Sequence, residues 1–169
     1  MNLRQLAMLI ALAATPTLSV TAESATCRRT IPSGEYEGPV PPWPGTRWYG
    51  GDSLAVMLPT DGVWPTTKAG HLIAIKLFWF SRGFQPGMEE DLRVQVVNFD
   101  EQGGEVRTVK ATNAHAESLG GWAMLTGIDF PQPGCWRISA SYRNEELSFT
   151  VKVIGADEWI SSRTVAPSR

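Results

Sequence analysis

Two stretches near the end of the chain alternate strictly in polarity. In Trp136–Tyr142 the residues Trp136, Ile138, Ala140 and Tyr142 fall on one side, and Arg137, Ser139 and Ser141 on the other. In Leu147–Val153, Leu147, Phe149, Val151 and Val153 alternate with Ser148, Thr150 and Lys152, and Arg143-Asn144-Glu145-Glu146 joins the two stretches. A period of two is the period of a β-strand, so each stretch is a strand with one dry and one wet face. A sheet with a dry face needs a second layer over it. This hairpin therefore commits the chain to a layered β architecture.

The remaining strands follow from the same reasoning. Ser53–Leu58 reads as a strand stopped by Pro59 and the Asp61-Gly62 turn signal. Leu72–Phe80 is almost continuously apolar, broken only by Lys76. Its aromatic and β-branched content, between Gly70 and Gly83, favours a strand buried on both faces or one whose outer face a loop covers. Leu92–Val97 alternates, Asp100-Glu101-Gln102-Gly103-Gly104 reads as a turn, and Val106–Ala111 reads as the returning hairpin partner. Ala123–Phe130 follows the Gly120-Gly121 break, and Ala111–Leu119 has room for one helical turn at most. About seven short strands with turn signals between them predict an all-β, immunoglobulin-like β-sandwich. A jelly roll or small barrel is the alternative. The 16 Gly and 12 Pro, spread along the chain, suit so many turns.

The 169 residues divide into four segments. Residues 1–22 read as a secretory signal peptide: Arg4, the apolar run Leu6–Ala14, Pro16, and small residues before a cut near Ala22. The run is too short to span a bilayer, and no later run is long enough, so no transmembrane segment is expected in the mature chain. Ser24-Ala25-Thr26-Cys27 lacks the aliphatic residue of a lipidation box. Residues 23–50 form a Pro/Gly-rich arm containing Pro39-Val40-Pro41-Pro42-Trp43-Pro44-Gly45, too rich in proline for a central strand. Residues 51–154 are the sandwich domain and 155–169 read as a frayed tail, with Trp159 as its docking residue. The expected location is periplasmic or secreted.

Export gives meaning to the two cysteines. In an oxidising compartment Cys27 and Cys135 most simply form one bridge, tying the arm to the core. Two free thiols or an intermolecular bridge are the alternatives. A loop of roughly 100 residues closed in this way contributes about 4–5 kcal/mol in the chain-entropy treatment.

An ordered series of short motifs runs through the body of the chain. It comprises Trp48-Tyr49-Gly50, Leu54-Ala55-Val56 with Leu58-Pro59, Asp61-Gly62-Val63-Trp64 and Lys76-Leu77-Phe78-Trp79. Ala111-Thr112-Asn113-Ala114, Gly121-Trp122-Ala123-Met124-Leu125 and Phe130-Pro131-Gln132-Pro133-Gly134-Cys135-Trp136 complete it. From Arg47 to Val153 the series resembles a family of uncharacterised exported bacterial proteins for which an immunoglobulin-like fold is expected. The resemblance implies export and a sandwich, and no activity.

Constellations for chemistry are few. A net charge of −2 lacks the basic stripe of a nucleic-acid binder, so no nucleic-acid partner is expected. Two Cys and two His cannot build a four-ligand zinc site without carboxylates. His115 and Glu117 could share a metal with His71 or an Asp, but no third ligand is marked by spacing, and neither a metal nor a cofactor is expected. Any Ser–His–acid triad would lack a nucleophile elbow, since Gly51-Asp52-Ser53 and Pro32-Ser33-Gly34 have the wrong flanks. Glu89-Glu90-Asp91 reads as a solvated loop.

The aromatic residues are more suggestive. Trp79 and Trp136 lie in strand patterns and are expected in the core, whereas Trp43, Trp48, Tyr49, Trp64 and Trp122 lie in loops or at strand ends. They anchor loops, or they form a contact surface. Thr112, Asn113 and His115 next to Trp122 make a candidate ligand-facing polar cluster. The candidate binding residues are therefore Trp48, Tyr49, Trp64, Thr112, Asn113, His115 and Trp122. The expected role is a non-enzymatic binding or structural module whose partner is an envelope protein or glycan. A carbohydrate-binding module using Trp48, Trp64 and Trp122 is one alternative, and a small metal-dependent or serine hydrolase is another.

Overall fold

The computed structural model describes residues 27–65, 73–99, 106–116, 121–155, 157–158 and 160–161. The signal-like segment 1–22, the turn at 100–104, His71, Glu117 and Trp159 lie outside the described residues. The strands are β1 (Thr46–Gly50), β2 (Ala55–Pro59), β3 (Val63–Pro65), β4 (Ile73–Phe80) and β5 (Leu92–Asn98). They continue with β6 (Arg107–Thr108), β7 (Thr112–Ala116), β8 (Gly121–Phe130), β9 (Gly134–Tyr142) and β10 (Glu145–Ile154).

They form two open sheets packed face to face. The first runs β1-β2-β4-β8-β6, with β7 also on β8, and the second runs β3-β10-β9-β5. Strands β2-β4-β8-β6 take the A-B-E-D places of an immunoglobulin sandwich, and β5-β9-β10 the C-F-G places. The expected sandwich is thus what forms, with open edges instead of a closed barrel. The final hairpin forms as expected but with a shorter turn: Glu145 and Glu146 belong to β10, which sets Ala140 opposite Leu147, Ile138 opposite Phe149 and Trp136 opposite Val151. Its dry face supplies Trp136, Ile138, Phe149, Val151 and Val153 to the core between the sheets. The first sheet adds Val56, Leu58, Leu77, Trp79, Met124, Ile128 and Phe130. The indole N–H of Trp79 donates to the Thr126 hydroxyl at 2.8 Å, which removes the one polar mismatch between these two buried residues.

Three expectations need correction. Val106–Ala111 does not return as the partner of β5. β5 pairs with β9 in the second sheet, and β6 pairs with β8 in the first, so the chain changes sheets between them. The alternation of β5 identifies a strand but not its partner. The Ala111–Leu119 stretch contains strand β7. Between Thr108↔Ile128 and Thr112↔Leu125 the edge strand advances four residues and β8 three, so a bulge separates β6 from β7. Lastly, the arm reaches into the sandwich earlier than residue 51: β1 pairs along its whole length with β2.

The arm is sewn down at both ends. Cys27 and Cys135 are joined in a disulfide that spans 108 residues of sequence. The arm passes so close to Gly62 that a Cβ there would lie 2.9 Å from the Thr30 carbonyl oxygen, and Gly62 has φ +65°. Further along, the Pro-rich segment covers the outer face of the first sheet. Trp48, Ala55, Met57 and Ala123 are buried there, with Tyr36, Val40, Phe78 and Phe80 packed against them. This second apolar layer explains the almost unbroken run of β4. Leu77 and Trp79 point to the inter-sheet core, while Phe78 and Phe80 point outward under the arm. At the crossing, Gly38 (φ +72°) lies flat on the Trp48 indole, where a Cβ would come within 2.3 Å.

Candidate functional site

The topology gathers several loops at one end of the sandwich. β1 ends and β2 begins there, β4 ends and β5 begins, β8 begins, and β9 turns into β10. Residues 51–54, 81–91 and 143–144 thus meet. In immunoglobulin variable domains the B–C and F–G loops at one end are recognition loops, and the 81–91 and 143–144 connections hold those places here.

These loops are held firmly. The Arg82 N–H donates to the Asp52 carbonyl at 2.8 Å, and their side chains form an ion pair. Phe84 N–H donates to the Ser81 carbonyl at 2.9 Å, and Gly83 N–H to the Ser81 hydroxyl at 3.2 Å. Phe84 is buried edge-on against Tyr142, with ring centroids 6.2 Å apart, so the loop is pinned into the core. Burial first, and then the charge and hydrogen-bonding capacity of the nearby Asp52 carboxylate, raise the pKa of Tyr36 on the arm above its ordinary value, while Arg82 opposes the shift.

A cleft of about 540 Å³ opens between these loops, a size that suits a small ligand or one side chain of a partner. Its walls carry Asp52, Ser53, Ser81 and Arg82 from the first sheet's loops and Tyr142, Arg143, Asn144 and Glu145 from the β9–β10 turn. Arg143 has a φ of 55°, in the left-handed region. Its guanidinium lies 5.2 Å from the Tyr142 ring centroid, and Nη2 donates to the Met88 sulfur at 3.3 Å. Tyr142 is 2% exposed, and its hydroxyl has no hydrogen-bond partner among the described residues. A second cavity of about 560 Å³ lies under the arm. Trp48, which lines it, already commits its indole N–H to the Val40 carbonyl at 2.8 Å.

The residues singled out from the sequence are dispersed. Trp48 (3% exposed) and Trp64 (7%) offer no open ring face, which corrects their reading as platform residues. Trp48 sits beneath the arm against Tyr36 and Phe80, and Trp64 sits between the sheets against Phe130 and Phe149. Tyr49 faces inward, edge-on to Phe149, and its hydroxyl donates to the Ser148 carbonyl at 3.1 Å. It ties the two sheets together at their edge. His115 and Trp122 are cross-strand partners with ring centroids 4.9 Å apart. Asn113 pairs with Met124 and shares their face, whereas Thr112 pairs with Leu125 and faces the other way. The polar cluster is therefore divided by the pleat. Among the described residues Trp43 is the tryptophan that the fold leaves most open: it is 40% exposed and edge-on to Phe78.

Asp52, Ser81, Arg82, Arg143 and Asn144 escaped the sequence reading. No local motif marks them, since the 81–91 and 143–144 loops meet only through the sandwich topology. Among the described residues no group of three or more His, Cys, Asp or Glu could hold a metal. No helix there is long and apolar enough to cross a membrane. Searches against family models, curated proteins and solved structures found no match to the chain.

Proposed function

We propose that this chain is an exported, non-enzymatic binding module that contacts an envelope protein or glycan through the loop end of its sandwich. The observation that carries the reading is the convergence of three loops, one of them pinned into the core by Phe84, on one cleft that presents two arginines and several hydroxyls. Rigid strands presenting chemically varied loops are the general design of sandwich recognition domains. Export is supported by the signal-like residues 1–22 and by the Cys27–Cys135 disulfide, a bond typical of oxidising compartments.

A glycan-binding reading has one observation in its favour, the exposed Trp43 ring. Immobilised purified protein, challenged with envelope polysaccharides, peptidoglycan and detergent-solubilised envelope proteins, separates the two. Retention of one component that falls at least tenfold in Asn144→Trp and is unchanged in Trp43→Ala supports the loop end. Retention of a polysaccharide that is lost in Trp43→Ala and unaffected by Asn144→Trp overturns it.

A further inference from the structure

We propose that Arg143 is the anchor for an oxyanion, a carboxylate or phosphate group of the ligand, at the loop-end cleft. This rests on the reading of that end as the contact surface.

The backbone gives the first argument. Tyr142 pairs with Glu145, so Arg143 and Asn144 are the two central residues of a tight hairpin turn, and Arg143 holds a φ of 55°. A positive φ at the first central position occurs in types I′ and II′, and because Asn144 does not share it the turn is of the II′ kind, where glycine is the residue without strain. A long cationic side chain here costs stability, and backbone strain of this kind gathers at functional sites.

The side chain gives the second. Arg82, on the opposite wall, is neutralised by Asp52. Arg143 forms no ion pair among the described residues, although Glu145 lines the same cleft. Although Arg143 is exposed, its guanidinium has close neighbours on three sides. It lies over the Tyr142 ring, Nη2 donates to the Met88 sulfur, and Nη1 is so close to Gly83 that a Cβ there would be 3.0 Å away. The ring contact orients the fork, and a thioether is a weak acceptor that an oxyanion readily displaces. A planar guanidinium suits bidentate pairing with carboxylate or phosphate.

The test is an amide and arginine side-chain NMR titration of the purified protein with sodium phosphate and, separately, sodium acetate. Ionic strength is held constant with sodium chloride. Saturable shifts confined to Gly83, Met88, Asn144 and the Arg143 Nε–H are expected. They should be abolished in Arg143→Gly, a variant that melts at or above the wild-type temperature because the strain is gone, and weakened several-fold in Arg143→Lys. Tighter saturation by acetate assigns a carboxylate ligand, and tighter saturation by phosphate a phosphoryl one. Shifts that are linear and scattered, or that saturate equally in Arg143→Gly, overturn the anchor as an adventitious ion only. The anchor also falls, with the contact surface intact, if partner capture survives Arg143→Gly but is lost in Asn144→Trp. Capture indifferent to both overturns the loop-end reading itself.

Discussion

Thr30 and Thr150 exchange two hydrogen bonds across the free edge of β10. The Thr30 N–H donates to the Thr150 carbonyl at 2.8 Å, and the Thr150 N–H donates to the Thr30 hydroxyl at 2.9 Å. The arm thus completes the sheet edge just beside β3, three residues beyond the Cys27–Cys135 bond. The disulfide and this pair act on the same segment by different means. The bridge restricts the unfolded chain, and the threonine pair satisfies the backbone in the folded one. Cys27→Ser is therefore expected to lower stability by about 4 kcal/mol, seen as a lower urea midpoint, while near-ultraviolet circular dichroism stays native because the arm remains docked. An unchanged midpoint contradicts the role given to the bridge.

The Trp79–Thr126 bond predicts a different cost. Thr126→Val keeps the shape of the side chain but leaves a buried indole N–H without its acceptor. A loss of about 1–3 kcal/mol is expected in chemical denaturation, with no change in the m-value.

The tryptophans separate by position. Trp48→Ala empties the layer between the arm and the first sheet and is expected to cost about 3–5 kcal/mol. Trp43→Ala, at a half-open position, should fall within about 1 kcal/mol of wild type. Gly38→Ala should resemble a milder Trp48→Ala, because its Cβ meets the indole directly. Equal effects of Trp43→Ala and Trp48→Ala on the thermal midpoint would contradict the packing described.

Tyr36 gives the arm an alkaline sensitivity. Its pKa is higher in the folded protein than in the unfolded chain, because burial and the Asp52 carboxylate disfavour the phenolate. The unfolded chain therefore loses this proton first. The contribution is fully present below about pH 10 and declines as the pH rises through the folded-state value. In Tyr36→Phe this part of the alkaline decline should vanish, as measured by denaturation midpoints between pH 8 and pH 11.

The sandwich was legible because its evidence is local. Period-two alternation in β9 and β10 and the apolar run of β4 each reveal a strand without reference to any other element. Partner choice is a property of the whole fold. Nothing within Leu92–Asn98 distinguishes pairing with β9 from pairing with the segment that follows it, so the local pattern favours a Val106–Ala111 hairpin and the sheet switch overturns it. The same limit hid the loop-end cleft. Trp48 and Trp64 look exposed in a Pro- and Gly-rich context, yet the arm and the opposite sheet cover them. Arg82 and Arg143 are unremarkable until β4–β5 and β9–β10 are placed at one end of the molecule.

The central claim is that this end makes the contact. A photoreactive amino acid placed singly at Asn144, at Trp43 and at Ser148 on the polar outer face of β10 tests it in intact cells expressing the protein. The account predicts a discrete cross-linked adduct from position 144 and none from 43 or 148. Adducts from 43 or 148 but not from 144, or no adduct from any of the three, contradict it.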